Sequence, residues 1–272
     1  MKKDKNLQIM IKAARAGGKV LRKYFGQALK VVEKSTSVDY KTKADLESEK
    51  IILKILKKEF PKYNILSEEE GKTSKGSNYT LVIDPLDGTN NFVLGIPTFS
   101  VSIALLYKNE IIAGVVYQPI INQTYSSTKG RGAFLNGKKV SVNNITDIKK
   151  ITISYGCGYK IELDYFNKVM TSLYNTGCKR AMNNFSVAFE LCMVASGKLE
   201  SMMNDGTELY DYAAGKLIAL EAGAKIVNLT GEKEESDLND LFIISNTDKI
   251  NKQILKAIKP LQKNKKFKTL TK

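Results

Sequence analysis

Val82-Ile-Asp84-Pro-Leu-Asp87-Gly-Thr89 sets two carboxylates three residues apart where an apolar run gives out, with a hydroxyl directly behind them. Residues 81–83 read as a buried strand, and Pro85 and Gly88 are expected to turn the chain as soon as it ends. Both acids then sit at a strand mouth. Burying ionised carboxylates costs several kcal/mol unless they are paired or bind metal, and no basic residue stands between these two. They call for a cation from elsewhere, and oxygen donors of this kind suit Mg²⁺.

Composition narrows the chemistry further. The 272 residues are 43% hydrophobic, enough for a large core, and no apolar run approaches the ~20 residues that cross a bilayer. Asp4, Lys5, Lys12 and Arg15 stand where a signal peptide needs an apolar stretch, so a cytoplasmic protein with no membrane partner is expected. Cys157, Cys178 and Cys192 are odd in number and widely spaced, which reads as reduced thiols. Histidine is absent, and with it Ser-His-Asp catalysis, Cys-His catalysis, histidine phosphatase chemistry and histidine-ligated zinc. The formal charge is +15, and between residues 249 and 272 there are nine lysines and no acid. Such a tail serves solubility, steering of anionic substrates, or binding of RNA or another polyanion; the lysines are not interleaved with stacking aromatics.

Apolar spacing predicts helices over residues 7–25 and from 42 until Pro61, then a short strand at 64–66. Strands follow at 99–107 and 110–118, joined as a hairpin through Lys108-Asn109, and again at 124–128 and 138–142. A second part begins with a strand at 151–155 and continues with helices near 164–174, 186–196 and 210–222, a strand at 241–245 and a final helix at 248–261. Hairpins mixed with helices, without strict βαβ alternation, predict an α+β layered fold. Two halves of one compact unit are expected: residues 1–145, an α+β half with most of the candidate ligands, and residues 146–272, an α/β half with the last ligand and the substrate pocket.

Other polar residues have two readings each. Glu68, Glu69 and Glu70 make a solvated loop, or supply an acid beside Asp84 and Asp87 for a two-metal cluster. Asp211 either complements the dipole of the helix it opens or binds a ligand beside a phosphate. Thr42-Lys-Ala-Asp45 fits a capping box, and Thr89 either caps the next turn or relays a proton. Two decoys fall away. Residues 132–138 match most of a Walker A loop, but Lys139 replaces its hydroxyl and a strand follows where a P-loop needs a helix, so Asn136-Gly137 reads as a hairpin turn. The Asp-x-x-Asp spacing also departs from the Asp-x-Asp nucleophile of haloacid dehalogenases.

Taken together, Asp45 in Lys-Thr-Lys-Ala-Asp, Ser67-Glu68-Glu69, Asp84-Pro-Leu-Asp87-Gly-Thr89-Asn-Asn-Phe92, Gly114-Val-Val-Tyr-Gln-Pro119, Gly130-Arg-Gly-Ala-Phe-Leu-Asn-Gly137 and Tyr210-Asp211-Tyr-Ala-Ala-Gly215 follow one another over nearly the whole chain. In this order they resemble the inositol monophosphatase family of Mg²⁺-dependent, lithium-sensitive phosphatases. The resemblance implies the αβαβα sugar-phosphatase fold with mixed and antiparallel sheets, as a homodimer. It implies a first Mg²⁺ on Glu68, Asp84 and the Leu86 carbonyl, a second on Asp84, Asp87 and Asp211, and a third, weaker ion near Glu68. Thr89, oriented by Asp45, would help activate the attacking water. Gly88 and Thr89 amides would cradle phosphate, and Ser186, Asn204 and Asp211 would contact the substrate.

The implied activity is phosphomonoester hydrolysis, with inositol monophosphate or a related small sugar or polyol phosphate as substrate. Asn204, beside Asp205, stands where the family carries an inositol-binding acid, and Phe185-Ser186-Val187 stands where glycine and small residues are common. These departures keep open fructose-1,6-bisphosphatase, 3′-nucleotidase or NADP phosphatase activity, and the basic C-terminus keeps open a role in RNA or protein binding.

Overall fold

The computed structural model describes residues 4–28, 31–33, 40–158 and 162–262. The two N-terminal apolar periodicities become α1 (Lys5–Tyr24) and α2 (Lys43–Glu59), separated by the short strands β1 (Val31–Glu33) and β2 (Tyr40–Thr42). Asp4 caps α1 by accepting from the amides of Asn6 at 3.0 Å and Leu7 at 3.3 Å. Gly17 lets α2 approach α1: a Cβ there would lie 2.6 Å from Ile52 Cδ1.

Next come β3 (Asn64–Ser67), β4 (Gly71–Thr73), β5 (Tyr79–Asp87), the one-turn α3 (Thr89–Val93), β6 (Ser100–Tyr107), β7 (Glu110–Gln118), β8 (Gln123–Thr128), β9 (Ala133–Leu135) and β10 (Lys138–Val140). They build an eight-stranded sheet in the order β10-β9-β8-β7-β6-β5-β3-β4, antiparallel throughout except where β3 runs parallel to β5. The expected hairpins are present. Lys108-Asn109 and Asn136-Gly137 turn with positive φ at both residues, so the Walker-like residues do form the β9–β10 hairpin.

The second sheet uses β11 (Thr152–Cys157), β12 (Arg180–Met182), β13 (Ser201–Asp205), β14 (Lys225–Asn228) and β15 (Leu241–Ser245), in the order β12-β11-β13-β15-β14. Its helices are α4 (Leu163–Asn175), α5 (Val187–Ala195), α6 (Leu209–Glu221) and α7 (Asp248–Gln262). Residues 263–272, the greater part of the lysine tail, lie outside the described residues.

Three apolar cores give the layering. One joins α1 and α2 to one face of the large sheet through Met10, Leu21, Ile52, Leu56, Ile83 and Ile103. A second packs α5 and α6 between the sheets, where Val116, Leu191, Ile218, Met202 and Phe242 meet. The third covers the outer face of the small sheet with α4 and α7. The order is αβαβα, as expected.

Two approaches fix α6, which carries Asp211. A Cβ on Gly114 of β7 would stand 2.7 Å from the Ala214 carbonyl oxygen, and one on Gly215 would stand 2.7 Å from Leu191 Cβ of α5. Ala213-Ala214-Gly215 therefore lets backbone meet backbone on both sides of the helix. Among the described residues no helix is long and apolar enough to cross a membrane.

One expectation needs correction. β5 does not stop at Ile83: it continues to Asp87, with a shift of register against β6 between Asp84 and Asp87. Pro85 cannot donate to the ladder, and it falls inside this irregular stretch. The two acids thus stand on an interrupted strand end and not on a loop beyond it.

Candidate active site

The bulged end of β5 presents Asp84 and Asp87, both buried. Asp84 Oδ1 accepts from the Leu86 amide at 2.9 Å, and Ser48 Oγ donates to the Pro85 carbonyl at 2.9 Å, so α2 holds the turn from below. Asp87 Oδ2 takes Ser100 Oγ at 2.8 Å, Ser186 Oγ at 2.8 Å and the Phe189 amide at 3.4 Å. One oxygen of Asp87 is therefore committed to orienting the carboxylate.

Glu68 follows β3, the strand parallel to β5, which brings the acidic triplet to the same sheet end. The three acids separate. Glu70 pairs with Lys57 and Glu69 with Lys41 at 2.9 Å, while Glu68 stands close enough to Asp84 to raise its proton affinity. Their loop is held by Glu49, buried on α2, whose Oε1 accepts from Ser67 Oγ and from the amides of Glu69 at 3.1 Å and Glu70 at 3.0 Å.

Asp45 serves both readings at once. Its Oδ2 accepts from the Thr42 amide at 2.9 Å and Thr42 Oγ1 at 2.5 Å, closing the capping box of α2. Its Oδ1 faces Thr89 Oγ1 at 3.1 Å, and that hydroxyl also lies 3.0 Å from the Leu86 carbonyl. Asp211, in the first turn of α6, likewise accepts from the Glu208 amide at 2.9 Å while standing close enough to Asp84 to raise its proton affinity.

Electrostatics mark these acids as one cluster. Burial pushes the Asp84 carboxyl well above its ordinary range, and Glu68, Asp87 and Asp211 push it further. Burial also raises Asp87 to about 6 against the hydroxyls of Ser186 and Ser100, and raises Asp211 with help from Glu68 and Asp87. Among the described residues no lysine or arginine pairs with Asp84, Asp87 or Asp211. As they stand, no three His, Cys, Asp or Glu side chains among the described residues form a group placed to hold a metal ion. The donor set still fits a divalent cation: it is all oxygen, crowded and short of positive charge.

Two residues expected on the substrate turn inward. Ser186 spends its hydroxyl on Asp87. Asn204 is fully buried on β13, donating to the Asp240 carbonyl at 2.7 Å and accepting from Thr207 Oγ1 at 2.9 Å, because every position of that strand is buried and a polar side chain there must be satisfied internally. Its neighbour Asp205 takes the Tyr155 hydroxyl at 3.1 Å.

Sequence reading missed Glu49, Ser48 and Ser100. Glu49 had a signal, lying one helical turn from Asp45 on the same buried face of α2. Ser100 had none, since only the β5–β6 register sets it opposite Asp87.

A model of the inositol monophosphatase family matches residues 2–263. The chain belongs to that family. Members of the inositol monophosphatase family are phosphoric monoester hydrolases, and the ordered carboxylates above are set at one sheet end of this member. It is 36% identical over 258 residues to a Nus factor SuhB of Pasteurella multocida, covering 93% of this chain and 96% of the relative. It is also 36% identical to a fructose-1,6-bisphosphatase/inositol-1-monophosphatase of Aquifex aeolicus over 232 residues, 84% of this chain and 87% of that one. Among solved structures, an IMPase of Thermotoga maritima superposes with a TM-score of 0.87 at 30% identity, covering 96% of this chain and 99% of that one.

Proposed function

We propose that this member of the family is a Mg²⁺-dependent hydrolase of a small phosphate monoester, by direct attack of water. The cluster of Glu68, Asp84, Asp87 and Asp211 beside the Thr89–Asp45 pair carries this reading. Two to three Mg²⁺ ions held by these four acids and the Leu86 carbonyl would supply the positive charge that neutralises the phosphate dianion and its departing alkoxide. The protein's own groups do the rest. The amides of Gly88 and Thr89, where α3 begins, bind the phosphate oxygens. Thr89 Oγ1 accepts a hydrogen bond from the attacking water and passes its own proton toward Asp45 Oδ1. Ser100 and Ser186 keep Asp87 aimed.

The test is phosphate release from inositol 1-phosphate, fructose 1,6-bisphosphate and adenosine 3′,5′-bisphosphate, with Mg²⁺, with EDTA and with Li⁺, for wild type and Asp87→Asn. Turnover that needs Mg²⁺, is inhibited by Li⁺ and is lost in Asp87→Asn supports the reading. Turnover that persists in EDTA refutes it. A homodimer is proposed alongside and is read from light scattering.

A relative named Nus factor SuhB, together with the +15 charge, supports a second reading in which the same chain also binds a macromolecular partner. Salt-sensitive RNA binding that survives Asp87→Asn and falls on removal of the residues after Pro260 is its signature.

A further inference from the structure

Phe185 is the least comfortable residue at the site. Its φ is +52°, a left-handed conformation that bulky side chains rarely adopt. Three anchors hold it there. Before it, the Asn184 carbonyl accepts from Asn91 Nδ2 at 2.6 Å and the Asn184 amide donates to Glu190 Oε1 at 3.2 Å; after it, Ser186 is bonded to Asp87. The Phe185 carbonyl oxygen faces Gly88 so closely that a Cβ on the glycine would lie 3.2 Å away. Residue 185 therefore stands on the rim of the proposed phosphate cradle.

Among the described residues the side chain joins none of the three apolar cores. It is 39% exposed, and among the described residues no other aromatic ring packs on it. Asn91 also donates to the Thr98 carbonyl at 2.7 Å, which ties the 184–186 segment to the loop on which Leu94 and Ile96 are exposed. Of the polar side chains expected on the substrate, Ser186 and Asn204 make hydrogen bonds inside the protein. A rim of this composition recognises a flat apolar surface better than a ring of hydroxyl groups.

Resting on the phosphatase reading, we propose that Phe185 is a specificity-determining residue, whose ring stacks on the planar base of a nucleoside monophosphate while the cradle at Gly88 holds its phosphate. Strain without core packing is then explained by what the ring does for the substrate. Stacking of a base on an aromatic side chain is worth about tenfold or more in affinity.

The experiment measures kcat/KM for adenosine 3′-monophosphate and for glycerol 2-phosphate in wild type, Phe185→Gly and Phe185→Tyr. The competitive inhibition constant of inorganic phosphate and the thermal midpoint are measured for each. Wild type is expected to prefer the nucleotide. Phe185→Gly should lose about tenfold on it, mainly through KM. Its activity on glycerol phosphate and its phosphate inhibition should stay within about twofold, and its thermal midpoint should hold or rise, because glycine adopts the positive φ freely. Phe185→Tyr should keep the preference. Equal losses on both esters, or a lowered thermal midpoint in Phe185→Gly, would show the ring to be structural and overturn the proposal. A wild type that hydrolyses neither these esters nor those named above would remove the phosphatase reading and this inference with it.

Discussion

Glu49→Ala probes the support of the candidate site without touching any group proposed to meet metal or substrate. In wild type one carboxylate oxygen gathers Ser67 Oγ and the amides of Glu69 and Glu70, bracketing Glu68 on both sides. Hydrogen bonds to a charged acceptor contribute about 1.5–3 kcal/mol each, and some of that returns when water enters the space, so the loop should lose about 3–5 kcal/mol of order. Loss of a group that orients a metal ligand typically costs about 10–100-fold in metal affinity or activity. The assay is a Mg²⁺ titration of phosphate release. The half-saturating Mg²⁺ concentration should rise at least tenfold in Glu49→Ala, and by less in Glu49→Gln, whose amide oxygen still accepts but without full charge. A Mg²⁺ requirement within about twofold of wild type in Glu49→Ala would refute the argument that this carboxylate places Glu68.

Thr89→Val removes the hydroxyl between Asp45 and the Leu86 carbonyl at nearly constant volume; kcat should fall about 100-fold with little change in KM, measured at saturating Mg²⁺. Gly88→Ala forces a φ of +93° on alanine and sets its Cβ 3.0 Å from the Thr98 carbonyl, so urea unfolding should register a loss of about 2 kcal/mol and phosphate release should collapse. Lys216, fully buried on α6, donates to the carbonyls of Ser236, Asp237 and Asn239, and burial lowers its pKa from 10.5 to about 8. Above about pH 8 the folded protein releases this proton before the unfolded chain does, so stability should rise with pH up to about 10.5, by about 3 kcal/mol relative to Lys216→Met. Equal pH slopes in the two proteins would contradict that.

The elements that were legible in the sequence are those whose signal is local. Thr42 and Asp45 cap a helix within one turn of chain, and an Asn-Gly pair turns a hairpin because few other residues tolerate two positive φ values. The short strands β1, β4, β9 and β12, of three residues each, had no such signal; partners found elsewhere in the chain make them strands. β13 was missed because it is buried at every position and shows no alternation. Pro85 misled for a related reason: proline ends most strands, but an irregular register at a sheet end accommodates it.

By itself the sequence determined the chemistry available to this protein. The absence of histidine excluded histidine-based catalysis, and the ordered motifs that carry Glu68, Asp84, Asp87 and Asp211 named the family, whose resemblance implied the roles of these acids. Only the tertiary structure decided which hydrogen bonds each of these polar groups makes. Asp45 and Asp211 keep their capping bonds while facing the cluster, whereas Ser186 and Asn204 are consumed by bonds to residues far along the chain. A buried polar atom takes whichever partner packing brings within 3 Å, and that partner is a property of the register between strands and the approach of helices, neither of which is written at the residue itself.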